Sequence, residues 1–180
     1  QDANFIFPDR DPITRKIDSL TIDGQITTIK GRFLTDAELT ITNTKPTVIY
    51  GYAAVPPNKT LTIEAGARIY FHDNSGLIVD DKATLKVNGT LTEKVIFEGD
   101  RLEPGFADIP GQWETIWLFN GSINNIFKHV TIKNSTVGIL CEGNQEDFSK
   151  LNITNTQIYN SSNFGILGRA TSINGENLVI

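Results

Sequence analysis

The chain has no methionine, one cysteine and two histidines in 180 residues. Cys141 alone cannot close an internal disulfide or build a thiolate metal site. His72 and His129 have no sequence neighbour at metal-ligand spacing, which argues against zinc. Nothing in the residue pattern asks for a cofactor. No apolar run approaches the ~20 residues a membrane helix needs, and no signal-peptide pattern is present. Lys/Arg-rich tracts are missing too. With 16 basic against 21 acidic residues and a net charge of −5, a nucleic-acid surface is disfavoured. Alanine is scarce, so long helices are not expected. The chain starts at Gln1, which leads us to expect a processed chain or an excerpt of a longer one.

What fills the chain instead is strand and corner chemistry. Ile, Thr and Val make up 51 of the 180 residues, with 16 Asn and 15 Gly. The first three are strand formers, and the last two punctuate turns. Apolar residues alternate over short stretches: Leu61 and Ile63, Ile69 and Phe71, Leu85 and Val87, Val95 and Phe97, Ile116 and Leu118, Val130 and Ile132, Ile139 and Cys141. Period two puts one face in and one face out, which makes Cys141 a small buried residue.

An internal repeat decides between all-β folds. Ile132 and Asn134 recur at one common offset as Ile158 and Asn160. Gly138 recurs as Gly165, one position later than that offset predicts, so a residue has been inserted between. A period in the twenties built from short strands is a solenoid signature. Stacked coils about 4.8 Å apart would bury a continuous core that no coil buries alone, with Asn ladders at the repeated corners. The expected fold is an all-β, right-handed parallel β-helix of the pectin-lyase-like kind, right-handed being the default for parallel crossovers. A β-sandwich is the competing reading. Residues 48–180 hold the coils, which are expected to continue beyond Ile180. Residues 1–47 read as a linker and cap strands around Gly24 that cover the first coil.

Several stretches resemble a family of large surface lipoproteins of Bacteroidota described as right-handed parallel β-helix proteins. They are Val48-Ile-Tyr-Gly-Tyr52, Leu61-Thr-Ile-Glu-Ala-Gly66, Ile69-Tyr-Phe-His72, Ser75-Gly-Leu-Ile-Val79 and Leu85-Lys-Val-Asn-Gly89. Val95-Ile-Phe-Glu-Gly-Asp-Arg-Leu-Glu103 and Asp108-Ile-Pro-Gly-Gln-Trp113 follow, and the stretch from Glu98 to Trp113 is the most specific part. The resemblance covers about three quarters of the chain. It implies export, an outer-membrane location through a lipid anchor outside this segment, and a preceding immunoglobulin-like domain whose tail would be residues 1–6. It implies no activity.

Candidate site residues are few. The 98–113 stretch interrupts the solenoid, and long irregular loops in compact domains tend to be functional. Asp100, Arg101 and Asp108 would make it a lid or binding loop, with calcium through its oxygens a further option. The structural alternative folds Pro104, Phe106 and Ile109 onto the barrel and pairs Arg101 with a carboxylate. Trp113 and Trp117, four apart, would share an outward face with Tyr70 if their strand alternates strictly. Such an aromatic stripe suits sugar rings or a protein partner. The alternative has the loop cover Trp113 and the upstream segment cover Trp117. Asp80-Asp81 reads as a turn, and Glu142, Asn144, Glu146 and Asp147 as a solvated loop. The expectation is a non-catalytic surface module that contacts an outer-membrane protein or a glycan. A polysaccharide lyase or glycoside hydrolase with its catalytic cluster elsewhere is the alternative. A groove with three or more convergent carboxylates would mark it.

Overall fold

The computed structural model describes residues 2–11, 13–22, 25–143 and 150–180, so Gly24, Asn144, Glu146 and Asp147 lie outside the described residues. It is a parallel β-solenoid of about five turns. The strands run β1 Asn4–Ile6, β2 Lys16–Ile22, β3 Gln25–Phe33, β4 Thr40–Ile41, β5 Thr47–Ile49 and β6 Tyr52–Val55. They continue as β7 Thr60–Ile63, β8 Arg68–Phe71, β9 Gly76–Val79, β10 Thr84–Asn88, β11 Val95–Gly99 and β12 Trp113–Leu118. The last six are β13 Asn125–Lys128, β14 Val130–Lys133, β15 Ser135–Glu142, β16 Leu151–Tyr159, β17 Phe164–Arg169 and β18 Ile173–Val179.

Three faces result. The first stacks β1, β5, β8, β11, β14 and the ends of β16 and β18, and the second stacks β4, β7, β10, β13 and the starts of β16 and β18. The third stacks β3, β6, β9, β12, β15 and β17. β16 turns from the second face to the first at Asn155, whose φ of 49° lies in the left-handed region. His129 and Asn177 hold the same conformation at the equivalent corner of the neighbouring coils. The Asn177 side-chain amide donates to Asn155 Oδ1 at 2.6 Å, so an Asn ladder does form here. At Asn134 it does not: its amide donates to the carbonyl of Ala107 in the inserted loop.

The repeat is the coil. Ile132 pairs with Ile158 on the first face and Ile139 with Ile166 on the third, so the recurrences read from the sequence are matching rungs of two successive coils. Coil length varies elsewhere. The coil from Thr47 to its partner Ile69 is short, whereas the coil from Lys86 to its partner Ile126 is lengthened by the 100–112 loop. A separate insertion lies at Gly138, where the β12–β15 register shifts opposite Thr115 and Ile116. A Cβ there would collide with the Gly165 carbonyl, so only glycine lets the two coils approach.

Inward positions form one continuous core, from Ile6 and Leu34 through Phe71, Phe97 and Trp113 to Ile153 and Ile158. Cys141 is fully buried in it. A second, smaller cluster lies outside the third face. There the antiparallel hairpin β2–β3 lays Ile17 and Ile29 over Tyr52, Ala54, Ile78 and Trp117. Only the end of β3, Gly31–Phe33, pairs in parallel with β6. Asn4–Ile6 pairs in parallel with β5 and is the edge strand of the first face. The first coil is clamped at its corner. Arg32 donates two hydrogen bonds to Glu38, at 2.7 and 2.8 Å, and Thr35 donates to the same carboxylate through its backbone and hydroxyl.

Candidate functional site

The tryptophans do not form an outward stripe. Trp113 is 1% exposed and lies in the main core, stacked on Phe71 at 4.3 Å with its indole N–H donating to the Lys133 carbonyl. Trp117 points to the opposite side and is buried in the cluster beneath the hairpin. Strict alternation fails between them: Trp113 and Ile116, three apart, both lie in the core, with Glu114 and Thr115 between them lining the outer cleft. The upstream segment does cover Trp117, through Ile17 and Ile29.

Tyr70 does face outward, and it has company that linear alternation did not reveal. Along the first face, Phe5, Val48, Tyr70 and Glu98 are successive rungs of one outward column. Two residues further along each strand lies a second column of Phe7, Tyr50, His72 and Asp100, the last three continuing the backbone ladder past their strand ends. Phe5 and Phe7 stack at 5.8 Å, Phe7 and Tyr50 meet at 5.2 Å, and Tyr50 and His72 stack at 4.3 Å. The Arg10 guanidinium covers Phe7 at 4.4 Å. His72 Nδ1 lies 2.7 Å from Asp100 Oδ2.

This patch crosses successive coils as aromatic rows and ends in charge. Lys133 pairs with Glu98 at 3.6 Å and sits 6.0 Å from the Tyr159 ring. Burial pushes the Tyr70 phenol above its ordinary pKa, and the Glu98 charge adds to this, against Arg68 and Lys133. Burial also raises Glu98, with Lys133 opposing. One signal in the sequence pointed here. Tyr50 and His72 each follow the Ile or Phe that ends a strand, in Ile49-Tyr50 and Phe71-His72. The longer period read from the second half of the chain hid their alignment.

The 100–112 loop projects beside the patch. Asp100 anchors one end through His72. Arg101 pairs with Glu103 at 3.1 Å and lies 3.9 Å from the centre of the Phe106 ring. Gln112 anchors the other end by donating to the carbonyls of Phe106 and Ile109. Asp108 is exposed and Ile109 is 43% exposed, so the loop's apolar residues do not all fold onto the barrel. The described residues contain no group of three or more His, Cys, Asp or Glu side chains placed to hold a metal ion. Asp80 and Asp81 form a turn, as read from the sequence.

A cleft of about 690 Å³ opens on the third face, beside the hairpin. Asp9, Asp73 and Glu114 all line it. Burial raises the Glu114 carboxyl and the nearby Asp73 charge raises it further. Asp9 instead pairs with Arg10 at 3.8 Å. Two carboxylates couple and the third is engaged elsewhere, which falls short of a convergent trio. No helix among the described residues is long and apolar enough to cross a membrane. Comparison with known protein families, characterised proteins and solved structures finds no match for this chain.

Proposed function

We propose that this solenoid is a non-catalytic interaction module of the cell surface whose first face docks a protein partner within an outer-membrane assembly. The observation that carries this reading is the contiguous outward aromatic patch. Tyr50 and His72 stack face to face at 18° and 4.3 Å, and Phe5 and Phe7 at 5° and 5.8 Å. The Tyr50–His72 stack and the Arg10 cover on Phe7 occupy ring faces a sugar would need, while the neighbouring Arg10, Glu98 and Lys133 charges suit a protein surface. Tyr, Phe and Arg are the residue types enriched in such interfaces. Contiguity supports it further: Phe5, Phe7, Tyr50 and His72 touch in sequence across successive coils, and contiguous apolar surface rather than a single exposed ring marks an interaction site. The sequence resemblance supports export and lipid anchoring outside this segment.

The test is site-specific photo-crosslinking in cells. A crosslinker at Tyr70 is expected to trap a defined outer-membrane protein, whereas one at Lys86, exposed on the second face, is not. Co-purification of that protein is expected to fall with Tyr50→Ser and Tyr70→Ser together. Equal trapping at both positions, or a partner indifferent to the double variant, sinks the proposal. The alternative of a polysaccharide lyase or glycoside hydrolase requires a catalytic cluster outside this segment. Release of new sugar ends from a polysaccharide by the full-length protein would favour it.

A further inference from the structure

The cleft on the third face is a second site with different chemistry. Its floor is apolar and aromatic: Tyr52, Trp117, Val137 and Leu140. The Tyr52 ring fits there only because its neighbour is Gly76, where a Cβ would come within 2.7 Å of the ring. The Trp117 indole N–H is already used on Glu142 at 3.2 Å, so Trp117 contributes its apolar surface. The rim is polar. Thr27, Thr28 and Thr136 supply hydroxyls, and Asp73 and Glu114 supply carboxylates. No salt bridge among the described residues engages Asp73 or Glu114. A volume of about 690 Å³ falls within the ~300–1,000 Å³ range of small-ligand sites.

We propose that this cleft binds the end of a neutral or amino-bearing oligosaccharide and rejects uronic and sulfated ones. A sugar ring is apolar on the faces its C–H bonds cover and hydroxyl-rich around its edge. It would lie on the Tyr52–Trp117–Leu140 floor and donate hydroxyl hydrogens to Asp73 and Glu114, and carboxylates make strong acceptors for such donors. The sign of the rim selects among sugars. With Asp9 paired to Arg10, Asp73 and Glu114 share the lining with one lysine, Lys30, and the rim stays net negative. A carboxylated or sulfated sugar would meet like charges in a partly desolvated site, which is costly. An amino sugar would be drawn in.

The cleft and the docking patch lie on different faces, so either proposal can fail alone. The test is the whole chain applied to an array of neutral, amino, uronic and sulfated oligosaccharides, followed by titration calorimetry with the best binder. Binding to neutral or amino sugars is expected, with at least tenfold less for their uronic or sulfated counterparts. The Asp73→Ala/Glu114→Ala double variant is expected to weaken it by about tenfold or more, the loss of charged hydrogen bonds. Both side chains are at least partly exposed, so the fold should survive, which circular dichroism checks. Lys86→Ala, exposed on the second face, should leave the affinity unchanged. Binding to no sugar class, equal binding of uronic sugars, or wild-type affinity in the double variant overturns the proposal.

Discussion

Replacing Trp113 with alanine tests the inside–outside assignment on which both surfaces depend. The side chain is 1% exposed, stacks on Phe71 at 4.3 Å and donates its indole N–H to Lys133 at 2.9 Å. Removing a buried Trp leaves a cavity in a core that is close-packed, and such truncations cost about 3–5 kcal/mol. The stacking contributes about 0.5–1.5 kcal/mol of this and the indole hydrogen bond about 1 kcal/mol. An outward Trp113 on a solvated stripe would cost about 0.5 kcal/mol or less. Urea unfolding of Trp113→Ala against the parent separates the two. Fluorescence gives an independent reading, because the chain has only two tryptophans. In Trp117→Phe, the remaining emission should be blue-shifted and resist iodide quenching. A destabilisation below about 1 kcal/mol together with ready quenching would refute the buried placement.

Two further outcomes follow from the corners. Burial pushes the Glu38 carboxyl up, but hydrogen bonds from Arg32 and Thr35 outweigh it and bring its pKa down from 4.5 to about 2. Because the folded pKa is the lower one, its stabilisation is complete above about pH 4.5 and is lost as pH falls towards 2. Partial exposure limits it to about 1–2 kcal/mol. The unfolding midpoint measured from pH 6 to 2 should therefore show a shallower acid fall in Glu38→Gln. At the other corner, Asp100→Ala removes the 2.7 Å tie to His72 and frees one end of the 100–112 loop. Trypsin should then cut after Arg101 several-fold faster, with overall stability nearly unchanged, whereas an unchanged cleavage rate would mean that Gln112 and Asn134 hold the loop by themselves.

The coil was legible in the sequence because it is built from short-range chemistry. Alternation at Ile132 and Ile139 marked inward positions, and their recurrence as Ile158 and Ile166 marked the rungs. The burial of Cys141 followed from the same alternation. The two Trp placements were not legible, since Trp113 and Ile116, three apart, both turn into the core, a break in alternation that has no local signature. Nor was the aromatic patch. It needs Phe7, Tyr50 and His72 aligned across coils, and coil length changes from the short Thr47–Ile69 turn to the long Lys86–Ile126 one.

By itself, then, the sequence determined a stacked parallel β architecture, most of its inward residues though not Trp113, and its asparagine-bearing corners, because strand alternation and left-handed turns are properties of a few adjacent residues. Only the tertiary structure decided which outward side chains meet. That depends on how many residues each coil spends in its corners, and on a hairpin that folds back over the third face to bury Trp117 and wall a cleft. One inserted residue at Gly138 or one loop at 100–112 is invisible to the period of its own strand, yet it resets what stacks on what in every coil it touches.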